Sequence, residues 1–424
     1  SLLVRRKGEY IFCYITCFIK ESAIGFIEKI IFILKFKNID RNKYILAGGC
    51  MNFIPVNQPL LNGNEKKYLC ACIDTGWISS EGPFVKEFEE KMCVIVDRKY
   101  GVAVSNGTAA LEVAVQALGI SEGDEVIMPA FSIISCAMAV TKLGAVPVLI
   151  DSDSHTWNMN VDEIEDKITP KTKAIMIVHL YGLPVEVDQI LVLAKKYNLK
   201  VIEDAAEMHG QTYKGKPCGS FGDISTFSFY PNKHITTGEG GMVVTDDEQL
   251  AERCKLLRNL CFRKDVRYIH DEISDNYRFT NLQAAVGLAQ LERLNEFVAK
   301  KRYMGRYYTE RLNGIKGLML PIEKTDYADN IYWVYGIVLD KQIQADNRTV
   351  QSLLAEEGVG SRTFFWCMHE QPIYQKQGLF VNETYPNAEY LARKGFYIPS
   401  GLALTQKQMD EVIARVIKVV RKLI

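Results

Sequence analysis

The run FSFYPNKHITTGEGG, residues 227–241, sets Lys233 beside His234 just before a Thr-Thr-Gly-Glu-Gly-Gly turn. A lysine in a loop after a strand can hold an aldehyde cofactor as an imine. Its freed amine can then shuttle a substrate proton. A histidine there would serve as an acid/base without holding anything. Asp204 ends the apolar run KVIED. A carboxylate at a strand end can pair with a pyridinium nitrogen and keep a pyridoxal ring an electron sink, or it can merely cap the helix that DAAE begins. SNGTAALE, residues 105–112, follows a strand pattern and opens a helix pattern. The free N–H groups and dipole at such a helix start suit a phosphate, with Gly107 allowing close approach and Thr108 adding a hydroxyl. The same tripeptide is also an ordinary turn and cap. Ser228, five residues before Lys233, can donate to that phosphate. None of these decides alone, but their order does. A phosphate loop, a strand-end aspartate, then a serine and a lysine after a later strand is the layout a pyridoxal phosphate (PLP) enzyme on an open α/β sheet needs.

The elements that must position these residues alternate along the chain. Strand patterns fall at YGVAVS, EVIMPA, VPVLID, KAIMIVHLYG, KVIEDAA, DISTFSF and GGMVVTD. Helical patterns such as TAALEVAVQALG and VDQILVLAKKYNL lie between them, the first closed by Gly119. Strands that are apolar throughout, separated by helices, predict a mostly parallel sheet covered on both faces, with ligands at the carboxyl ends of its strands. The stretch TNLQAAVGLAQLERLNEFVAKKRYMGRYYTERL reads as one long helix bridging to a smaller C-terminal unit. We therefore expect a large cofactor-binding domain over residues 51–300 and a small α+β domain over residues 301–424.

Residues 1–50 are of another character: apolar, aromatic and basic, and beginning at Ser1. Lys20, Glu21, Glu28 and Lys29 cut the apolar run into pieces too short to span a bilayer. No small-residue cleavage site follows a clean apolar core. The character changes at Met51, so the expectation is that residues 1–50 are non-native or upstream sequence. Over the whole chain 51 Lys+Arg balance 51 Asp+Glu, and 48% of residues are hydrophobic. That balance gives no signal for nucleic acid or an anionic membrane. Eleven cysteines lie without framework or zinc-knuckle spacing and read as reduced, largely buried thiols of a cytoplasmic protein.

Four stretches, SNGTAALEVAVQALGISEGDEVIMP, TPKTKAIMIVHLYGLP, VIEDAAEMHGQTYKGKPCGSFGDISTFSFYPNKHITTGEGGMVVTDD and NYRFTNLQAAVGLAQLERL, resemble the nucleotide-sugar aminotransferases. The opening IPVNQPLLNGNEKKYL…TGWISSEGPFVKEFE resembles the branch that acts on GDP-4-keto-6-deoxymannose. The resemblance runs from Met51 to the C-terminus. It implies the PLP-dependent transferase fold of type I and a homodimer with shared sites, taking L-glutamate and a nucleotide sugar as substrates. It assigns the cofactor lysine to Lys233, because that residue lies five positions after the phosphate serine. His234 then matches a neighbour shaping the pocket or a surface residue. Asp204 is implied for the pyridine nitrogen, and Glu207 for the neighbourhood of the ring 3-hydroxyl. Gly107, Thr108 and Ser228 are implied for the phosphate, with Asn276 and Arg278 reaching across a dimer interface. Trp77, Ser79, Ser80 and His369 are implied for the sugar. Ile133 stands where relatives carry an aromatic residue stacked on the cofactor ring. The implied reaction moves an amino group from glutamate to the 4-keto carbon of the sugar. The alternatives are a UDP-linked sugar, a 3-dehydratase, and a catalytically silent PLP-binding regulatory protein.

Overall fold

Val102 and Val104 pack into one apolar cluster and Ala103 into another; Val126 and Met128 part from Ile127 in the same way, and Met176 and Val178 from Ile177. Successive side chains of a strand point to opposite faces, so this split means that both faces of the sheet are covered. In the computed structural model, which describes residues 2–6, 9–13, 53–263, 265–266 and 268–424, that sheet has seven strands. In chain order they are β1 (Tyr100–Val104), β2 (Glu125–Pro129), β3 (Val146–Ile150), β4 (Thr172–Val178), β5 (Lys200–Asp204), β6 (Ile224–Ser228) and β7 (Gly241–Thr245). Their spatial order is β1-β7-β6-β5-β4-β2-β3. The pairs from β6 through to β3 are parallel, and only β7 runs against its neighbours. The chain therefore has the α/β fold of type I expected from its sequence.

Ile202 of β5 and Ile224 of β6 face the first cluster. Asp204, Thr226 and Ser228 follow them at even spacing and share that face. The parallel register sets Thr226 opposite Asp204. Helix α1 (Gly107–Ala117) lies across the same face, with Ala109, Ala110, Val113 and Ala114 buried. Small alanines let it lie close to β6 and β7, and Gly241 completes that approach. A Cβ on Gly241 would sit 2.3 Å from the carbonyl of Asn106.

The long helix expected after Thr280 is two helices, α2 (Asn281–Leu291) and α3 (Leu294–Leu312). No proline or glycine makes the break; side chains do. The Glu292 carboxylate is taken by Asn64 at 2.7 Å and by Tyr68. Arg293 turns to Asn62 and Glu296 and lies over the Phe297 ring. Helix α3 then joins two cores. Leu294, Phe297 and Val298 pack under the large sheet. Met304, Tyr308 and Leu312 pack on a four-stranded sheet built from Leu318–Met319, Tyr335–Leu339, Gly395–Ile398 and Arg362–Thr363. The segment at Ile54 returns to this second core through a bridge to Val359.

For the first 50 residues the structure describes only an antiparallel pairing of Leu2–Arg6 with Glu9–Cys13. The expectation that this stretch is upstream sequence lies outside the described residues. Among the described residues no helix is long and apolar enough to cross a membrane.

Candidate active site

A cavity of about 690 Å³ opens at the carboxyl ends of β4, β5 and β6. Parallel strands end there together, and α1 begins there, so backbone donors and strand-end side chains converge without further design. Gly107, Thr108, Ile133, Asp204, Glu207, Ser228 and Lys233 all line it.

At one end the side chain of Asn106 caps α1 by accepting from the Ala109 N–H at 2.8 Å. The first-turn N–H groups of Gly107 and Thr108 have no helical carbonyl behind them. A Cβ on Gly107 would stand 2.7 Å from the Ser228 Cβ and 3.0 Å from its Oγ, so only glycine lets the helix start and that hydroxyl come together. The Thr108 hydroxyl lies 2.8 Å from that of Ser135. Here a tight cradle of N–H and O–H donors fits a phosphate.

At the floor Asp204 is 4% exposed. Its Oδ1 accepts from the Ala206 N–H at 3.0 Å, and Cys136 donates to its Oδ2 at 3.4 Å. Burial raises the Asp204 pKa against the backbone bond and the Lys233 charge, which lower it. A buried acceptor-only group of this kind suits a protonated ring nitrogen.

Lys233 lies in the loop after β6. Its Nζ stands 3.8 Å from Glu207 Oε1 and 3.9 Å from the centre of the Trp333 ring. Glu207 is fixed from its other side by the Tyr181 N–H at 2.6 Å. Burial pushes Glu207 up to about 8 and Lys233 down from its ordinary value. Their mutual attraction opposes both shifts, favouring the charged pair, and burial outweighs it.

His234 is not a surface residue: it is fully buried, its Nε2 set 3.2 Å from the Ile331 carbonyl. The position after Lys233 faces inward, its ring beside that of His209, which in turn lies against Phe227 and Phe229. Burial holds His234 well below its usual pKa and His209 at about 3, so neither ring carries charge at neutral pH.

The remaining expected residues, Ile133 apart, lie elsewhere. Ser79, Ser80 and Arg278 line a second cavity of about 640 Å³, with Arg258 and Asn259. Arg278 donates to the Asn259 carbonyl oxygen of the side chain at 2.6 Å, and the Asn276 side chain accepts from the Arg278 N–H. Trp77 is half exposed. His369 is buried away from the main cavity, its Nε2 3.1 Å from Glu389 Oε1. Ile133 sits on the cavity wall and stays 42% exposed.

Sequence reasoning missed the far wall. Trp333, Phe365 and Tyr397 come from the C-terminal part of the chain, with Tyr181 stacked behind Phe365 and Trp333. In NIYWVYGIVL, Trp333 carries only the signal of a core strand. Cys136 carries no local signal at all.

A model of the DegT/DnrJ/EryC1/StrS aminotransferase family matches residues 59–417. The chain belongs to this family. The GDP-perosamine synthase of Escherichia coli O157:H7 is 44% identical over 359 residues, covering 85% of this chain and 96% of that protein. The GDP-perosamine synthase of Caulobacter vibrioides is 42% identical over 361 residues, covering 85% and 96%. Among solved structures, the PLP form of Spr1654 from Streptococcus pneumoniae superposes with a TM-score of 0.81 at 26% identity, covering 88% of this chain and 100% of that one. The aminotransferase family and the cavity chemistry agree: this is an enzyme that moves amino groups.

Proposed function

We propose that the cavity carries out a PLP-dependent transamination that moves the amino group of L-glutamate to C4 of a nucleotide-linked 4-keto-6-deoxysugar. The sugar is GDP-4-keto-6-deoxy-D-mannose and the product GDP-perosamine. The observation that carries this reading is the convergence of Lys233, Asp204, Glu207 and Ser228 with the start of α1 on one cavity. The two GDP-perosamine synthases, each above 40% identity over most of their length, support the sugar.

In this reading Lys233 would hold the cofactor through its aldehyde carbon and Asp204 would pair with the ring nitrogen. Gly107 and Thr108 N–H groups and the Ser228 hydroxyl hold the phosphate. Glu207 would serve the ring hydroxyl, and Ile133 would cover the ring from the cavity wall. PLP bound there supplies an electron sink for the pair left on carbon when a C–H bond ionises. The chain supplies the proton handling. Once freed, the Lys233 amine takes the proton from Cα of glutamate, and in the second half-reaction it delivers one to C4 of the sugar. Its burial favours the neutral amine that must accept the first proton. The Trp333 ring, 3.9 Å from Nζ, favours the ammonium that results.

The protein works as a cytoplasmic homodimer of two-domain subunits, residues 51–300 and 301–424. Asn276 and Arg278 of each subunit reach the partner's site, and Trp77, Ser79 and Ser80 meet the sugar nucleotide there. The second cavity, where Ser79 and Ser80 sit with three basic side chains, supports an anionic occupant.

The test is to incubate the full chain with PLP, ¹⁵N-glutamate and either GDP- or UDP-linked 4-keto-6-deoxysugar, and to read products by mass spectrometry. Label in the GDP sugar is expected. Label only in the UDP sugar overturns the nucleotide assignment, and label in neither overturns the aminotransferase reading.

A further inference from the structure

We propose that Cys136 is a positioning residue for Asp204 and so sets how firmly the cofactor ring nitrogen stays protonated. This rests on the reading of the cavity as a PLP site. Cys136 is fully buried near the start of the helix Ser135–Thr141. Its Sγ stands 3.4 Å from Asp204 Oδ2, and the Ser132 hydroxyl stands 3.5 Å from the same sulfur. With the Ala206 N–H 3.0 Å from Oδ1, each carboxylate oxygen of Asp204 has one protein donor. Two donors on two oxygens fix the plane of the carboxylate, which a single backbone bond would leave free to turn.

The direction of each bond follows from the chemistry. An ionised carboxylate only accepts, so the thiol must donate to Asp204, and the Ser132 hydroxyl donates to sulfur. Burial, and then the nearby Asp204 charge, hold the thiol well above its usual pKa, so the S–H is present. A thiol is a weak donor. It orients the carboxylate while drawing off little of its negative charge, which leaves Asp204 a strong partner for a cation. A hydroxyl at the same place would make a shorter, stronger bond and weaken that partner. The other titratable groups facing Asp204 are Lys233, His179 and Glu207, and Glu207 also acts on the thiol. None of these contacts is made by Cys136 as mere filling. A small apolar residue would fill the same volume in the core.

The test uses the full chain loaded with PLP. The absorption of the Lys233-bound cofactor is followed against pH in the parent, Cys136→Ala and Cys136→Ser, with Asp204→Asn marking the effect of a lost ring partner. Without the thiol donor only the Ala206 N–H holds the carboxylate, which is then free to turn out of line with the ring nitrogen. The looser pairing leaves the ring less protonated and raises the midpoint. Cys136→Ala should therefore move the midpoint up by about half a unit, roughly a threefold change in the proton equilibrium. The shift should have the sign of Asp204→Asn and be smaller. Cys136→Ser restores a donor and should lie below the alanine variant. Melting curves report folding separately, and Cys136→Thr replaces any variant that does not fold. A parent that loads while alanine and serine variants titrate with it, or shift equally, overturns the Cys136 assignment alone. A parent that binds no PLP overturns the cofactor reading and this assignment with it.

Discussion

In the proposed reaction Lys233 is a tether first and a base afterwards, and its surroundings suit both tasks. An amine 3.8 Å from Glu207 and 3.9 Å from the Trp333 ring is kept near a carboxyl that can exchange a proton with it. Lys233→Ala removes the tether and the base together. Turnover should fall by at least about a thousandfold, within the range a positioned general base and covalent step supply. Overall amino transfer from glutamate to the sugar measures it, and near-parental turnover would exclude the lysine. Glu207 gives a pH prediction. Its folded pKa of about 8 lies above its ordinary value, so the cofactor-free native protein keeps a proton that the unfolded chain sheds from about pH 4.5 upward. That contribution to stability is full below the unfolded pKa and is lost as pH rises through about 8. Glu207→Gln has no proton to lose. Melting temperatures of the two cofactor-free proteins should be similar near pH 5 and diverge toward pH 8 with the variant higher. Parallel curves would show that Glu207 does not carry the proton.

In the proposed site the helix start at Gly107 is where an element, rather than a residue, would do the binding. Its N–H groups can reach a phosphate only because β6 brings Ser228 against a residue without a Cβ. Gly107→Ala must push Ser228 aside, since the added carbon would lie 2.7 Å from the Ser228 Cβ. PLP affinity should fall about tenfold or more, read by equilibrium dialysis, and the melting temperature of the cofactor-free protein should fall as well, because the clash is with the Cβ of a strand residue. Unchanged affinity would mean the phosphate sits elsewhere. Features of this kind are legible in a sequence because they are local: a strand, a glycine and a helix cap within eight residues, or an aspartate at the end of an apolar run. That Asp204, Ser228 and Lys233 would meet at one sheet edge was readable on the same ground, and they line one cavity. The break at Glu292 and Arg293 was not, because it is made by Asn64, Tyr68 and Asn62, more than 200 residues earlier, and neither residue is a helix breaker in itself. Trp333 and Phe365 were hidden likewise. Their apolar runs look the same whether they fill a core or wall a cavity, and the choice is made by how the small sheet folds back on the large one.

At the scale of the whole molecule the question is whether one chain can complete its own site. The main cavity holds Lys233 and Asp204, while Arg278 lines a different cavity beside Ser79 and Ser80 and donates to Asn259. If Arg278 serves the partner's cavity, the two lesions Lys233→Ala and Arg278→Ala can be separated between subunits. Each variant alone should be inactive. When the two are unfolded and refolded together, about half of the dimers carry one subunit of each kind. In those, one site bears both lesions and the other bears none, so about a quarter of all sites should work again. Arg278 acting within its own subunit gives the opposite arithmetic: each mixed dimer then has one lesion in every site, and mixing restores nothing. Activity against the fraction of each variant in the mixture distinguishes the two, since shared sites give a curve with its maximum at equal amounts and separate sites give a flat line.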